Sequence, residues 1–217
     1  SALEWATVIG GSGDDRGHGL AYDGEGRIYI SGWTESADFP TTNGHDRTYG
    51  GANMATYPDG DAFVAALTSD GAALWSTYYG GEEMDPAFDV DVDSEGRVYV
   101  GGGTWSPDFA TLHAFDPIYD GFGDAYILSF ASDGSLNWAT LIGGSVSDFA
   151  TCLAIGPDNS IHLGGATTSS DFPTTNGYDL TYNDLADSFV MKLTSGQLPA
   201  VEVRPSSFTI SVERGTQ

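Results

Sequence analysis

The sequence predicts an all-β chain built from three repeats, each forming a sheet of four short antiparallel strands. Two markers reveal the repeats. The segment DFPTTNG occurs at residues 38–44 and again at residues 171–177. A second motif occurs three times, as LEWATVIGG, LWSTYYGG and LNWATLIGG, around Trp5, Trp75 and Trp138. A fixed period of this kind is typical of repeat architectures.

An insertion explains why the first repeat is the longest. The three tryptophans are 70 and 63 residues apart, and the extra length lies in GGANMATYPDG at residues 50–60. Loops carry function more readily than the scaffold that supports them. We therefore predict that Met54 and Tyr57 contact another chain or a ligand. The competing interpretation is a tolerated surface insertion.

Within each repeat, apolar residues alternate with a period of two and are bounded by turn residues, which predicts strands. In the first repeat these are residues 19–23, 27–34, 61–67 and 73–81. No segment predicts an amphipathic helix. Four antiparallel strands per repeat describe one blade of a β-propeller. The predicted blades span residues 12–81, 82–144 and 145–197, with residues 3–11 as the fourth strand of the last blade and residues 198–217 as a separate tail.

Composition limits the function. The chain has 217 residues, of which 31 are acidic and 7 are basic, and its net charge is −24. Nucleic acids and anionic membranes are bound by neutralising phosphates with Lys and Arg, so neither is an expected partner. No apolar run reaches the roughly 18 residues of a membrane span, so no membrane insertion is expected. Cys152 is the only cysteine, and we expect it to be a buried, inert thiol.

Several motifs occur in the same order in each repeat. YYGG is followed by RVYVGGGT and then by DAYILSFASDG in the second repeat, with counterparts in the others. This order resembles the bacterial SBBP-type β-propeller repeat over about residues 3–194. The resemblance implies a propeller from a secreted or cell-surface protein. The family is defined by its repeat and not by an activity, so the resemblance implies no catalytic residue.

Nine residues recur at equivalent positions, and we interpret all of them as structural. The glycines are expected where blades approach closely, the phenylalanines between adjacent blades, and the aspartates as acceptors of backbone N–H groups in turns. They are Gly32, Gly102 and Gly165; Phe39, Phe109 and Phe172; and Asp61, Asp124 and Asp187.

One acidic cluster is a candidate metal site. Asp89, Asp91 and Asp93 alternate in DVDVDSEG and are therefore expected on one strand face. The spacing does not match a helix-flanked calcium loop, because Ser94 and Val100 stand where that loop needs glycine and glutamate. A divalent cation such as Ca²⁺ on the strand remains the hypothesis. The four histidines are scattered, and no Gly-x-Ser-x-Gly elbow or other catalytic set is found.

The C-terminal segment loses the period but keeps an alternating apolar pattern. Its alternating apolar residues are Val201, Val203, Phe208, Ile210 and Val212. A strand with no sheet of its own is a template for pairing with another chain. The other interpretations are a linker or the first strands of an immunoglobulin-like module. Three blades are fewer than the four to eight of known propellers; two chains would supply six, or missing sequence would supply the remainder.

Two function classes follow. The favoured one is a non-enzymatic scaffold, extracellular or on the cell surface, that pairs with itself as a homo-oligomer or filament, or with another surface protein. The alternative is a propeller that binds or hydrolyses an extracellular polysaccharide. Carboxylates and an exposed Trp33 or Trp105 around one pocket would favour this alternative.

Overall fold

The computed structural model describes residues 2–51 and 60–194. This part of the chain forms strands and no helix. Sheet 1 contains β1 (Asp15–Tyr22), β2 (Arg27–Thr34), β3 (Asp61–Thr68) and β4 (Ala73–Tyr79). Sheet 2 contains β5 (Ala87–Val92), β6 (Val98–Thr104), β7 (Asp124–Phe130) and β8 (Leu136–Ile142). Sheet 3 contains β9 (Asp148–Ile155), β10 (Ile161–Thr167) and β11 (Asp187–Leu193).

The all-β prediction is confirmed. Each sheet is antiparallel, and its strands lie side by side in chain order. Sheets 1 and 2 have the four strands expected of a blade, whereas sheet 3 has three in the part of the chain that is described. Residues 3–11, predicted to complete the last blade, do not join sheet 3. They lie against sheet 1 and pair with no strand there.

The core lies between the sheets. One cluster joins sheet 1 to sheet 2 and includes Val64, Val90 and Tyr126. A second joins sheet 2 to sheet 3 and includes Ile127 and Leu163. The first strands of the three sheets are neighbours, since β5 contacts both β1 and β9. The sheets therefore follow one another as blades do. None of the described residues forms a helix that could span a membrane.

Candidate functional site

The repeated aspartates accept backbone N–H groups within their own repeats, and one of the repeated phenylalanines packs between two sheets. Asp61, at the start of β3, accepts a hydrogen bond from the Gly50 N–H at 2.7 Å, and its equivalents in sheets 2 and 3 accept the same kind of bond. Phe109 lies between Tyr79 of sheet 1 and Tyr126 of sheet 2, with ring centroids 5.2 and 4.9 Å away. The aspartates have the predicted role, and so does Phe109. The ring contacts of Phe39 and Phe172 are with aromatic residues of their own sheets.

The reason for glycine at the repeated second-strand positions differs from the one predicted. We predicted that they allow close approach between blades. A Cβ at each of these positions would instead overlap a backbone carbonyl oxygen in, or just before, the first strand of the same sheet. These oxygens belong to Arg16 for Gly32, to Pro86 for Gly102 and to Phe149 for Gly165. Each first strand carries an irregularity at this point, which brings its backbone under the second strand.

The acidic cluster bonds to the neighbouring sheet. Asp89 and Asp91 accept hydrogen bonds from the backbone N–H groups of Leu153 and Ile155 in β9, both at 2.8 Å. They join β5 of sheet 2 to β9 of sheet 3. Such contacts satisfy two amide groups that would otherwise be partly buried without an acceptor.

Asp93 lies beyond the end of β5 and turns away from that contact. Its carboxylate accepts hydrogen bonds from Arg97 Nε at 2.6 Å and from the Tyr99 hydroxyl at 3.0 Å. Burial raises the pKa of Asp93, but these hydrogen bonds outweigh it, so the net effect is a lowered pKa. Among the described residues, no three or more His, Cys, Asp or Glu side chains are arranged to hold a metal ion. The three aspartates therefore do not meet at one point.

Cys152 is exposed and not buried, which corrects the sequence prediction. It lies in β9, at the position that Asp89 holds in β5. In sheet 2 this position faces the next sheet, whereas in sheet 3 no described strand follows. The apolar pattern of β9 predicted burial, but no sheet within the described residues covers this position.

Neither tryptophan of the carbohydrate hypothesis is presented to solvent as that hypothesis requires. Trp33 is only 5% exposed, and the Arg16 guanidinium lies over its ring at 5.0 Å. Trp105 is half-buried beside Gly103 and Gly123. A sugar ring therefore has no open indole face on Trp33 to stack against.

Residues 5–12 contact sheet 1 in the same way that β4, the outer strand of sheet 1, contacts sheet 2. Trp5 Nε1 donates to the Ser69 carbonyl oxygen at 2.9 Å, and Trp75 Nε1 of β4 donates to the equivalent Ser132 at 3.1 Å. Gly11 N–H donates to Asp15 as Gly81 N–H does to Asp85. This segment has the contacts of a fourth strand, but no third strand in the described part of the chain pairs with it.

The two ends of the array expose apolar residues that are buried elsewhere in the repeat. Leu20 in β1 is 70% exposed, and Val190 in β11 is 86% exposed. Sequence reasoning missed both. The repeat alignment contained the signal, because Leu20 aligns with Val90 and Leu153, and Val190 aligns with Val64 and Ile127, all buried. These ends are the candidate interaction surfaces.

The interface residues predicted from the sequence lie outside the described residues, so they remain predictions. They are Met54, Tyr57, Val201, Val203, Phe208, Ile210 and Val212.

Comparison with protein families links the chain to a repeat family. No curated protein matches the chain. The family model of SBBP, described as a beta-propeller repeat, matches residues 4–40, which confirms for this part of the chain the resemblance that its motifs carry.

Proposed function

We propose that the chain is a propeller-type interaction scaffold that binds protein partners, including copies of itself, by strand pairing. The observation that carries the proposal is the outer edge of β11. Within residues 2–51 and 60–194, no strand pairs with that edge. An unpaired edge presents a row of backbone donors and acceptors that an added strand can satisfy.

A non-enzymatic role is part of this proposal. The repeated Asp61, Asp124 and Asp187 side chains accept backbone N–H groups, and Asp89 and Asp91 bind the neighbouring sheet. Acidic residues engaged in this way support the fold and are not set around a shared pocket. The polysaccharide alternative gains no support from the buried Trp33.

The proposed location is outside the cell or on its surface. This location is supported by the resemblance to the SBBP repeat, whose family model matches residues 4–40. A net charge of −24 suits a scaffold that stays soluble until a partner or screening ions reduce its self-repulsion.

The proposal is tested by the mass of the full chain in solution. Light scattering coupled to size exclusion, over a wide range of protein and NaCl concentrations, should show a species heavier than the 22.8 kDa chain. Parallel runs with a chelator and with added CaCl₂ test whether calcium contributes. A single-chain mass under every condition would contradict self-association.

A further inference from the structure

The chain forms the same kind of contact twice, between sheets 1 and 2 and between sheets 2 and 3. Its two ends carry the two complementary surfaces of a third contact of this kind. Between sheets 1 and 2, Val64 of β3 packs in one cluster with Val90 of β5. Between sheets 2 and 3, the equivalent Ile127 and Leu153 pack together. All four side chains are at most 7% exposed. Val190 and Leu20 are the corresponding residues at the two ends, and each lacks its counterpart.

An apolar cleft lies at the first end, where this contact would form. It measures about 240 Å³ and lies between residues 5–9 and sheet 1. Its lining includes Trp5, Leu20, Ile28 and Ile30. The equivalents in the next repeat, Trp75, Val90, Val98 and Val100, all belong to the cluster that surrounds Val64. The residue that would fill the cleft by this equivalence is Val190.

The strand pairing at this junction also follows from the repeat. In sheet 1, β3 pairs with β4 so that Val64 lies opposite Thr77 and Ala66 lies opposite Trp75. The same register places Val190 of β11 opposite Thr7 and Lys192 opposite Trp5. Residues 5–9 would become the fourth strand of sheet 3, and the free edge of β11 would be paired.

One chain cannot supply both sides of this junction to itself. Residues 3–11 are already held on sheet 1 by the Trp5 and Gly11 hydrogen bonds, at the far end of the array from β11. A second copy carries the matching end. Known propellers close with four to eight blades, and two copies of the three sheets formed by the described residues give six.

We propose that two copies join head to tail, with β11 of each entering the cleft of the other, and close a ring of six sheets. This inference rests on the proposed self-association and names its partner and its surfaces. The junction is heterologous, so it closes only if the rotation from sheet to sheet returns to the start; otherwise it propagates as a filament.

The first strands of the sheets place Cys152 where its thiol can report on formation of the junction. Between sheets 2 and 3, Asp89 bonds to the Leu153 N–H. At the new junction the equivalent positions are Cys152 and Leu20, so the exposed thiol faces the second copy. Cys152 is the only cysteine of the chain. Its rate of reaction with a thiol reagent should fall as the assembly forms.

The test uses the full chain with Leu20→Asp and, separately, Val190→Asp. Phe122→Asp is the matched control, because Phe122 is 76% exposed, lies in the loop before β7 of the middle sheet, and undergoes the same change in charge. Each end variant should weaken self-association by about 100-fold or more, since an unpaired charge would be buried. Cys152 should then stay reactive at concentrations that protect it in the parent and in the control.

Mixing the two end variants gives a second readout. A mixed pair can form one junction between unaltered ends, so the mixture should reach twice the chain mass at concentrations where each variant alone does not. At concentrations where the parent is also a single chain, circular dichroism and melting of the single variants should match the parent, because both replaced side chains are exposed.

The outcomes separate this inference from the proposed function. Association that survives both end variants, with Cys152 still reactive, would overturn the inference and leave self-association standing by another surface. Open polymers in place of a two-chain species would overturn the closed ring. A single-chain mass throughout would overturn both.

Discussion

Asp61, at the start of β3 in sheet 1, and Asp85, just before β5 of sheet 2, lie on either side of Gly80. A Cβ on Gly80 would lie 2.8 Å from Asp61 Oδ1 and 2.8 Å from Asp85 Oδ2, so the two oxygens are separated by at most twice that distance. Both side chains are buried. Asp124 and Asp148 repeat the arrangement across Gly143, at 2.5 and 3.1 Å. Each junction between sheets therefore contains a pair of buried carboxyl groups.

These pairs predict an unusual dependence of stability on pH. Burial, aided by nearby carboxylates, raises the pKa of Asp61 to about 6 and those of Asp85 and Asp124 to about 7. The unfolded groups titrate near 3.8, so between these values the folded chain holds protons that the unfolded chain has released. We expect the free energy of unfolding to fall as pH rises from about 4 to about 7.

Urea unfolding at a series of pH values measures this slope. Asp61→Asn removes one titrating group while its amide oxygen can still accept the Gly50 N–H, so the slope should become shallower. Aspartates with lowered pKa values, such as Asp93, lose their contribution only at more acidic pH. A free energy of unfolding that increased steadily from pH 4 to pH 7 would contradict the prediction.

The Asp89 contact predicts a second effect. Asp89→Ala removes the acceptor of the Leu153 N–H, which should destabilise the chain by about 1–3 kcal/mol because a partly buried donor is left unpaired. Cys152→Ala is the control, since it changes the equivalent but exposed position of sheet 3. Chemical denaturation measures both. Equal stability of the two variants would show that the carboxylate contact contributes little.

Phe109 is predicted to be a main support of the junction between sheets 1 and 2. Phe109→Ala removes a buried ring that packs on Tyr79 and Tyr126, at an expected cost of about 3–5 kcal/mol. Phe122→Ala removes the same ring from an exposed site and should change stability by about 0.5 kcal/mol or less. Melting curves of the two variants should differ clearly, and coincident curves would refute this role.

The second-strand glycines predict a steric effect. Gly102→Ala places a Cβ against the Pro86 carbonyl oxygen and the Tyr126 hydroxyl, and the backbone atom cannot move without disturbing β5. A loss of about 3 kcal/mol is expected. Gly177→Ala is the control, because its nearest neighbour is a flexible Leu180 side chain at 3.2 Å. Similar unfolding midpoints for both variants would disprove the explanation.

Salt should strengthen self-association. Two chains of net charge −24 repel each other, and added ions screen that repulsion. Because Asp89, Asp91 and Asp93 already have hydrogen-bond partners, NaCl and CaCl₂ should act alike at equal ionic strength. Sedimentation in the two salts measures this. A much larger effect of calcium would point to a cation site on the chain.

The period of the sequence determined the number of sheets, their antiparallel strands and the structural roles of Phe109 and Asp61. Those features depend on residues close together in the chain or repeated at a fixed distance. The exposure of Cys152 and Val190 and the partners of Asp89 were decided by the tertiary structure. Equivalent positions share the same apolar pattern along the chain, but whether their side chains are buried depends on the sheet that packs against them. At the last sheet no described neighbour follows, so the same apolar pattern that buries Val64 and Ile127 leaves Val190 at the surface.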